Sequence, residues 1–191
     1  MGLTAIEILE RLRPLVQGQR VLIIGVAGGV GIYSLQLAKH QGAQVTAVCS
    51  LKNAGWVRSM GADDVRVSES APNFKDGDRF DLIVDVPCQA SFGKSMNFMS
   101  RRGMYVCTNP PGDITGFLRA ALSQRSAGYL MTLTTTPAKL NRLIELFHAG
   151  ALKPVVDSRF PLSAANEAFD RFATPGRQGR VLLTMEDERT H

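Results

Sequence analysis

Short apolar runs alternate along this chain with longer segments whose apolar residues recur at helical spacing. The runs RVLIIG (20–25), AQVTAV (43–48), DDVRV (63–67), FDLIVDV (80–86), GMYVCT (103–108) and GYLMTLT (128–134) predict strands. Helical patterns fall between them at 29–42, 52–60 and 90–99, and the opening stretch MGLTAIEILERLRPL reads as an amphipathic helix. In the segment from 29, apolar residues fill most positions until KHQG closes it, as expected of a helix packed on a sheet and ending at Gly42. Strand–helix alternation of this kind predicts parallel β-α-β units, an α/β fold.

The rhythm changes near residue 136. Thr136 is placed to cap a helix with Pro137 at its first position, and Leu140, Leu143, Ile144 and Phe147 then share a face, with Gly150 at the end. PVVDSRFPL (154–162), a helix from Ser163 to Ala173 and the terminal strand RVLLTM (180–185) follow. These last strands break the β-α-β alternation, so they belong either to an appendage of the main sheet or to another sheet. The expected division is residues 1–150 as the main domain and 151–191 as a short C-terminal extension.

Composition narrows the partners. Of 191 residues, 45% are hydrophobic and 20% charged, ordinary values for a globular domain. No apolar stretch approaches the roughly 18 residues of a membrane span, so no membrane role is expected. The net charge of +5 is dispersed, and the densest basic spot is Arg101–Arg102, too little for a nucleic-acid surface. Cys49, Cys88 and Cys107 are odd in number and far apart in sequence, which predicts no disulfide framework and a reducing, cytoplasmic setting. No CxxC pair or HExxH occurs, so no metal site is expected.

The candidate chemistry lies at the first strand-to-helix junction, GVAGGVG (25–31). Gly28 and Gly31 match the last two glycines of GxGxxG; Val26 stands where the first is expected, and Gly25 makes the spacing GxxGxxG. Glycine there lets backbone approach a pyrophosphate, and the helix behind it offers unpaired N–H groups and a partial positive charge. A tight turn without a ligand is the competing reading. The context, strand before, apolar helix after and a second strand about 20 residues on, favours a dinucleotide on a Rossmann-type doubly wound parallel sheet.

Cofactor choice should be made at the end of the second strand, AVCSLKN (47–53), where a carboxylate would select a free ribose 2′-hydroxyl. No acid occurs between Gly31 and Asp63, and Ser50 and Lys52 stand at that place. A hydroxyl and an ammonium suit a 2′-phosphate, predicting NADP(H) over NAD(H). Ser50 is also positioned to cap the following helix, a role compatible with the first.

RVLIIGVAGGVGIYSLQLAKHQGAQVTAVCS, VRSMGADDV, FDLIVDV, RRGMYV, GALKPVVDSRFPLSAANEAFDRF and GRVLLT together resemble the medium-chain dehydrogenase/reductase superfamily, in its zinc-free quinone oxidoreductase branch. The likeness runs from TAIEIL to LLTM, nearly the whole chain. It implies an NADPH-dependent oxidoreductase that passes hydride to a quinone, enone or similar activated double bond of a small-molecule acceptor. Gly28, Gly29, Val30 and Gly31 match the family's dinucleotide loop; Ser50 and Lys52 match residues at its adenosine phosphate. Val86, Thr108 and Asn109 fall where relatives line the nicotinamide end, although Val86 also reads as core and Asn109 as a turn former. Ser68 departs from a tyrosine found in many relatives, and Arg180 stands where the family has a basic residue on its final strand, with surface exposure as its plainer role.

The resemblance also implies an N-terminal barrel-like domain ahead of TAIEIL that carries much of the substrate site and receives the two C-terminal strands. The chain is therefore expected to be a fragment of a longer protein, or to complete itself by pairing with a second copy. Family dimers join sheets through the sixth strand, here 128–134, which makes a homodimer the expected assembly. The rival functional reading is a dinucleotide-binding module, or truncated fragment, without catalysis of its own. Short-chain dehydrogenase, hydrolase and P-loop signatures are absent, since YxxxK, GxSxG and a Walker lysine do not occur.

Overall fold

The computed structural model describes residues 1–68, 74–108, 123–130 and 134–185. The chain opens with helix α1 (Gly2–Ile6), continued by a wider π-helical stretch (Glu7–Leu12). Six strands follow: β1 (Arg20–Ile24), β2 (Gln44–Cys49), β3 (Asp64–Val67), β4 (Phe80–Asp85), β5 (Met99–Cys107) and β6 (Ser126–Tyr129). They form one sheet in the order β3-β2-β1-β4-β5-β6, every neighbouring pair parallel. The strand order reverses between β1 and β4, so the carboxyl ends of those strands open a crevice at the switch point.

Both faces of this sheet are covered, as a parallel sheet requires. Val21 and Ile23 of β1 join the cluster that holds Ile8, Leu9, Ile32, Leu35 and Leu146. Leu22 and Ile24, one residue out of phase, join the opposite cluster with Phe80, Phe92, Met99 and Tyr105. The first face is built by α1, α2 (Gly29–His40) and α5 (Pro137–His148); α3 (Ala54–Ser59) flanks β2 and β3, and α4 (Phe92–Ser95) precedes β5. The near-absence of polar positions on the inner strands is the reason: β1, β2 and β4 are buried almost end to end.

Helix α5 is capped by Thr136, whose hydroxyl accepts the Lys139 N–H, with Pro137 in the first turn. Its buried edge differs from the expected face. Leu146 is buried and Leu143 and Phe147 pack on the core, whereas Leu140 and Ile144 are exposed. The helix leans on α1, where Leu143 lies against Gly2, and that contact rotates Leu140 and Ile144 outward.

The last strands, β7 (Val156–Pro161) and β8 (Arg180–Thr184), pair in parallel as a separate two-stranded sheet, covered on one side by α6 (Ala165–Ala173). Phe169 and Phe172 of α6 and Leu182 and Leu183 of β8 remain exposed. This small sheet is anchored by Asp157, whose carboxylate accepts from Arg171 and from the Gln178 N–H.

One expectation fails. Cys88 and Cys107 are joined by a disulfide, although they lie 19 residues apart in sequence. Parallel pairing explains it: Cys107 stands opposite Asp85 in the β4–β5 register, and the turn after Asp85 brings Cys88 back toward β5. Cys49, buried at the end of β2, takes no part in it. Among the described residues, no helix is long and apolar enough to cross a membrane.

Candidate functional site

The described sequence-predicted residues line up along the carboxyl edge of the main sheet. The loop after β1 is held by its neighbour: the N–H groups of Gly25 and Val26 donate to the Val48 carbonyl of β2, at 3.1 and 3.4 Å. Gly25 has φ +74°, a left-handed backbone that a side chain would oppose. Gly28 then donates to Gly25 O and accepts the first helical bond, from Ile32 N–H at 2.9 Å. No side chain caps α2, so the N–H groups of Gly29, Val30 and Gly31 have no intrahelical acceptor.

The glycines make a cradle that side chains would fill. A Cβ on Gly31 would stand 2.6 Å from Val26 Cα and closer still to the Gly25 carbonyl oxygen, so α2 can approach the loop only because Gly31 is bare. Gly28 is open, its Cβ position 3.4 Å from Gly25 O, and Gly29 lies under the Met1 thioether and the Arg180 stem. Val30 is half-buried at the edge of the core. The bare loop and the uncapped N–H groups fit a dinucleotide pyrophosphate at the start of α2, with the Met1 thioether over Gly29 the side chain that would have to give way.

On one side of the loop lies β2. Ser50 follows its last residue and precedes a single 3-10 turn, Leu51–Asn53, which its carbonyl caps by accepting the Asn53 N–H; its hydroxyl makes no cap bond. Lys52 is exposed, its stem 3.2 Å from where Gly176 would carry a Cβ. Ser68, at the end of β3, donates its N–H to Cys49 O.

On the other side lie β4 and β5. Val86 is half-buried and donates its N–H to Ile24 O at 3.2 Å, fastening the β4 turn to the end of β1. Thr108 Oγ1 donates to the Val86 carbonyl at 2.8 Å. The structure thus joins Val86 and Thr108 directly; Asn109 lies outside the described residues.

One contributor escapes the sequence reading, and another takes a more definite place than expected from the sequence. Asp85 is fully buried at the end of β4, where its carboxylate accepts from the Gln89 and Ala90 N–H groups and from the Tyr105 hydroxyl. Burial pushes its carboxyl up, against the pull of those donors. It organises the turn carrying Val86, and its only sequence signal is an acid closing an apolar strand. Arg180, singled out in the sequence and exposed as expected, is the other. Gly179 donates to the Ala27 carbonyl at 3.3 Å, which docks β8 beside the glycine loop and brings the Arg180 stem to Gly29. Its charge there lowers the α-amino group of Met1, a smaller effect than that group's own burial. Among the described residues no cluster of His, Cys, Asp or Glu is arranged to hold a metal.

Residues 60–183 match the profile of the zinc-binding dehydrogenase family. A chloroplastic quinone oxidoreductase of Triphysaria versicolor is 30% identical over 173 residues, covering 86% of this chain and 52% of the relative. A chloroplast envelope quinone oxidoreductase homolog of Arabidopsis thaliana is 28% identical over 193 residues, covering 95% of this chain and 59% of the relative. The chain thus spans about half the length of the curated relatives it matches. A thermostable alcohol dehydrogenase from Pyrobaculum aerophilum superposes with a TM-score of 0.77 at 28% identity, covering 96% of this chain and 54% of that one. By profile, sequence and fold, the chain belongs to the medium-chain dehydrogenase/reductase superfamily of oxidoreductases, in its zinc-free quinone-oxidoreductase-like branch.

Proposed function

We propose that this chain is the NADPH-binding part of an oxidoreductase that reduces a quinone, enone or similarly activated double bond. The observation that carries this reading is the cradle at Gly25–Gly31, in which a bare Gly31 and uncapped N–H groups meet the basic end of β2. When bound, the cofactor supplies hydride; the chain's residues supply position and electrostatics.

In this reading the N–H groups of Gly29, Val30 and Gly31 receive the pyrophosphate, and the Arg180 guanidinium adds charge nearby. Ser50 and Lys52 receive the 2′-phosphate. Val86, Thr108 and Asn109 orient the nicotinamide end, and the Thr108 bond to Val86 O keeps β4 and β5 from parting there. Residues 1–150 form the dinucleotide-binding unit, and 151–191 extend toward the rest of the enzyme. β6 stands at the open edge of the sheet, which supports a homodimer joined along 128–134.

The test is Lys52→Ala. Lys52 is exposed, so its loss leaves the fold intact. NADPH affinity should fall at least about tenfold, the equivalent of 1.4 kcal/mol, while NADH affinity stays within about twofold. Equal losses for both nucleotides would remove the 2′-phosphate assignment. Oxidation of NADPH on adding a quinone or enone would separate an enzyme from a module that only binds.

A further inference from the structure

The Cys88–Cys107 bond sits where the proposed cleft is built. Cys107 ends β5 and is fully buried; Cys88 lies in the turn after β4 and is partly exposed. Their Cα atoms are 5.6 Å apart, inside the range a disulfide spans without backbone movement. Cys88 has φ +55°, alone among the described non-glycine residues in the left-handed region. The turn is otherwise fixed by the Val86 N–H bond to Ile24 O and by the Asp85 carboxylate on Gln89 and Ala90. Pro87, next to Cys88, packs on Gly25, where a Cβ would come within 2.7 Å of the proline ring.

We propose that Cys88 and Cys107 form a reversible thiol–disulfide site that exchanges with low-molecular-weight disulfides such as oxidised glutathione. Exposure sets the order. The Cys88 thiol gives its proton to water, and the thiolate attacks one sulfur of RS–SR. The Cys88–SR bond forms, the RS–SR bond breaks, and one RS⁻ leaves to be protonated as RSH. Cys107, shielded from the small disulfide, then loses its proton and attacks the Cys88 sulfur. The protein disulfide forms, the Cys88–SR bond breaks, and the second RS⁻ leaves as RSH. Two protein thiols are oxidised and one small disulfide is reduced to two thiols.

The consequence for the cleft rests on the NADPH reading. The disulfide holds Cys88 in its left-handed conformation and so holds Pro87 against the glycine loop. Once reduced, Cys88 is free to relax to negative φ and the turn loosens. The oxidised chain should therefore bind NADPH several-fold more tightly than the reduced chain.

The test begins with the unaltered chain, reduced and then incubated with oxidised glutathione, followed by peptide mapping under non-reducing conditions. The expected product is an intrachain Cys88–Cys107 link that dithiothreitol reverses. Absence of the link, or a link only between molecules, overturns the proposal whether or not any variant folds. Cys107→Ser should retain a glutathione adduct on Cys88, and Cys88→Ser should leave Cys107 unmodified; an adduct on Cys107 in the latter overturns the assigned order. Titration of both redox forms with NADPH then isolates the coupling. Equal affinities overturn it, whereas no binding by either form refutes the NADPH reading and leaves the mapped link standing.

Discussion

Replacing Gly31 by alanine tests the glycine loop as a packing device and as a binding device at once. The new Cβ would lie 2.6 Å from Val26 Cα and 2.9 Å from its carbonyl carbon, and nearer still to Gly25 O. Carbon atoms pack at about 3.5 Å or more, so the helix start must move by about 1 Å against backbone that has no rotamer to yield. Overpacking of this kind costs about 1–3 kcal/mol. Alanine's advantage over glycine inside a helix returns about 0.5–1 kcal/mol. The net loss is at most about 2.5 kcal/mol, which for a domain of this size lowers the melting temperature by up to about 10 °C. The same displacement shifts the N–H groups of Gly29–Gly31, so NADPH affinity should fall about tenfold or more. Gly28→Ala is the control. Its φ of −75° suits alanine and its Cβ meets only Gly25 O, at 3.4 Å, so stability should change by about 1 kcal/mol or less. Its Cβ would nevertheless intrude where the pyrophosphate approaches, so binding should still suffer. Thermal melts with calorimetric titration read both quantities. A Gly31→Ala chain that melts within about 1 °C of the parent and binds NADPH equally well would refute the reasoning.

Asp78→Ala should destabilise by about 1–3 kcal/mol in urea, because it removes two charged hydrogen bonds from a buried guanidinium that Asp64 then holds only through Nε, at 3.0 Å. Arg66 is only 6% exposed and its two terminal nitrogens reach the Asp78 carboxylate at 2.6 and 2.9 Å. Burial alone would raise the Asp78 carboxyl, but the Arg66 bonds and the Lys75 N–H outweigh it and hold it below the usual carboxylate range. A depressed folded-state pKa gives stability that is present above about pH 4 and lost as pH falls through the folded value. The gap between parent and Asp78→Ala should therefore narrow in acid; a gap constant with pH would contradict this account. Asp85, raised by burial, works in the opposite sense, returning stability as it protonates. Ser34→Ala should stabilise the chain by about 1 kcal/mol, since that fully buried hydroxyl has no hydrogen-bond partner among the described residues; a lower urea midpoint would count against it.

The centre of the fold was legible because its signals are local. The apolar run Arg20–Ile24, the glycines and the apolar helix that ends near Gly42 fix the β1–α2 unit, and the structure adds only its hydrogen bonds. β5 was read four residues short. It begins at Met99, and its exposed Arg101 and Arg102, beside a register shift between Phe80 and Leu82, hide the strand from any search for apolar runs. Helix α5 showed the right length and cap with a different buried edge, since which of two adjacent apolar ladders turns inward depends on α1, not on spacing. The Cys88–Cys107 link and the Arg66–Asp78 pair were invisible for a common reason. The first depends on the β4–β5 register and the second on the order of strands between β3 and β4, and sequence separation encodes neither.

The central claim is that the carboxyl edge of the main sheet holds NADPH through the glycine loop and the Ser50–Lys52 corner. Calorimetric titration of the unaltered chain with NADPH and, separately, with NADH tests it most directly. The account predicts micromolar NADPH binding, about −8 kcal/mol, with NADH at least about tenfold weaker. Equal affinities would contradict the 2′-phosphate corner, and no binding of either nucleotide would contradict the site itself.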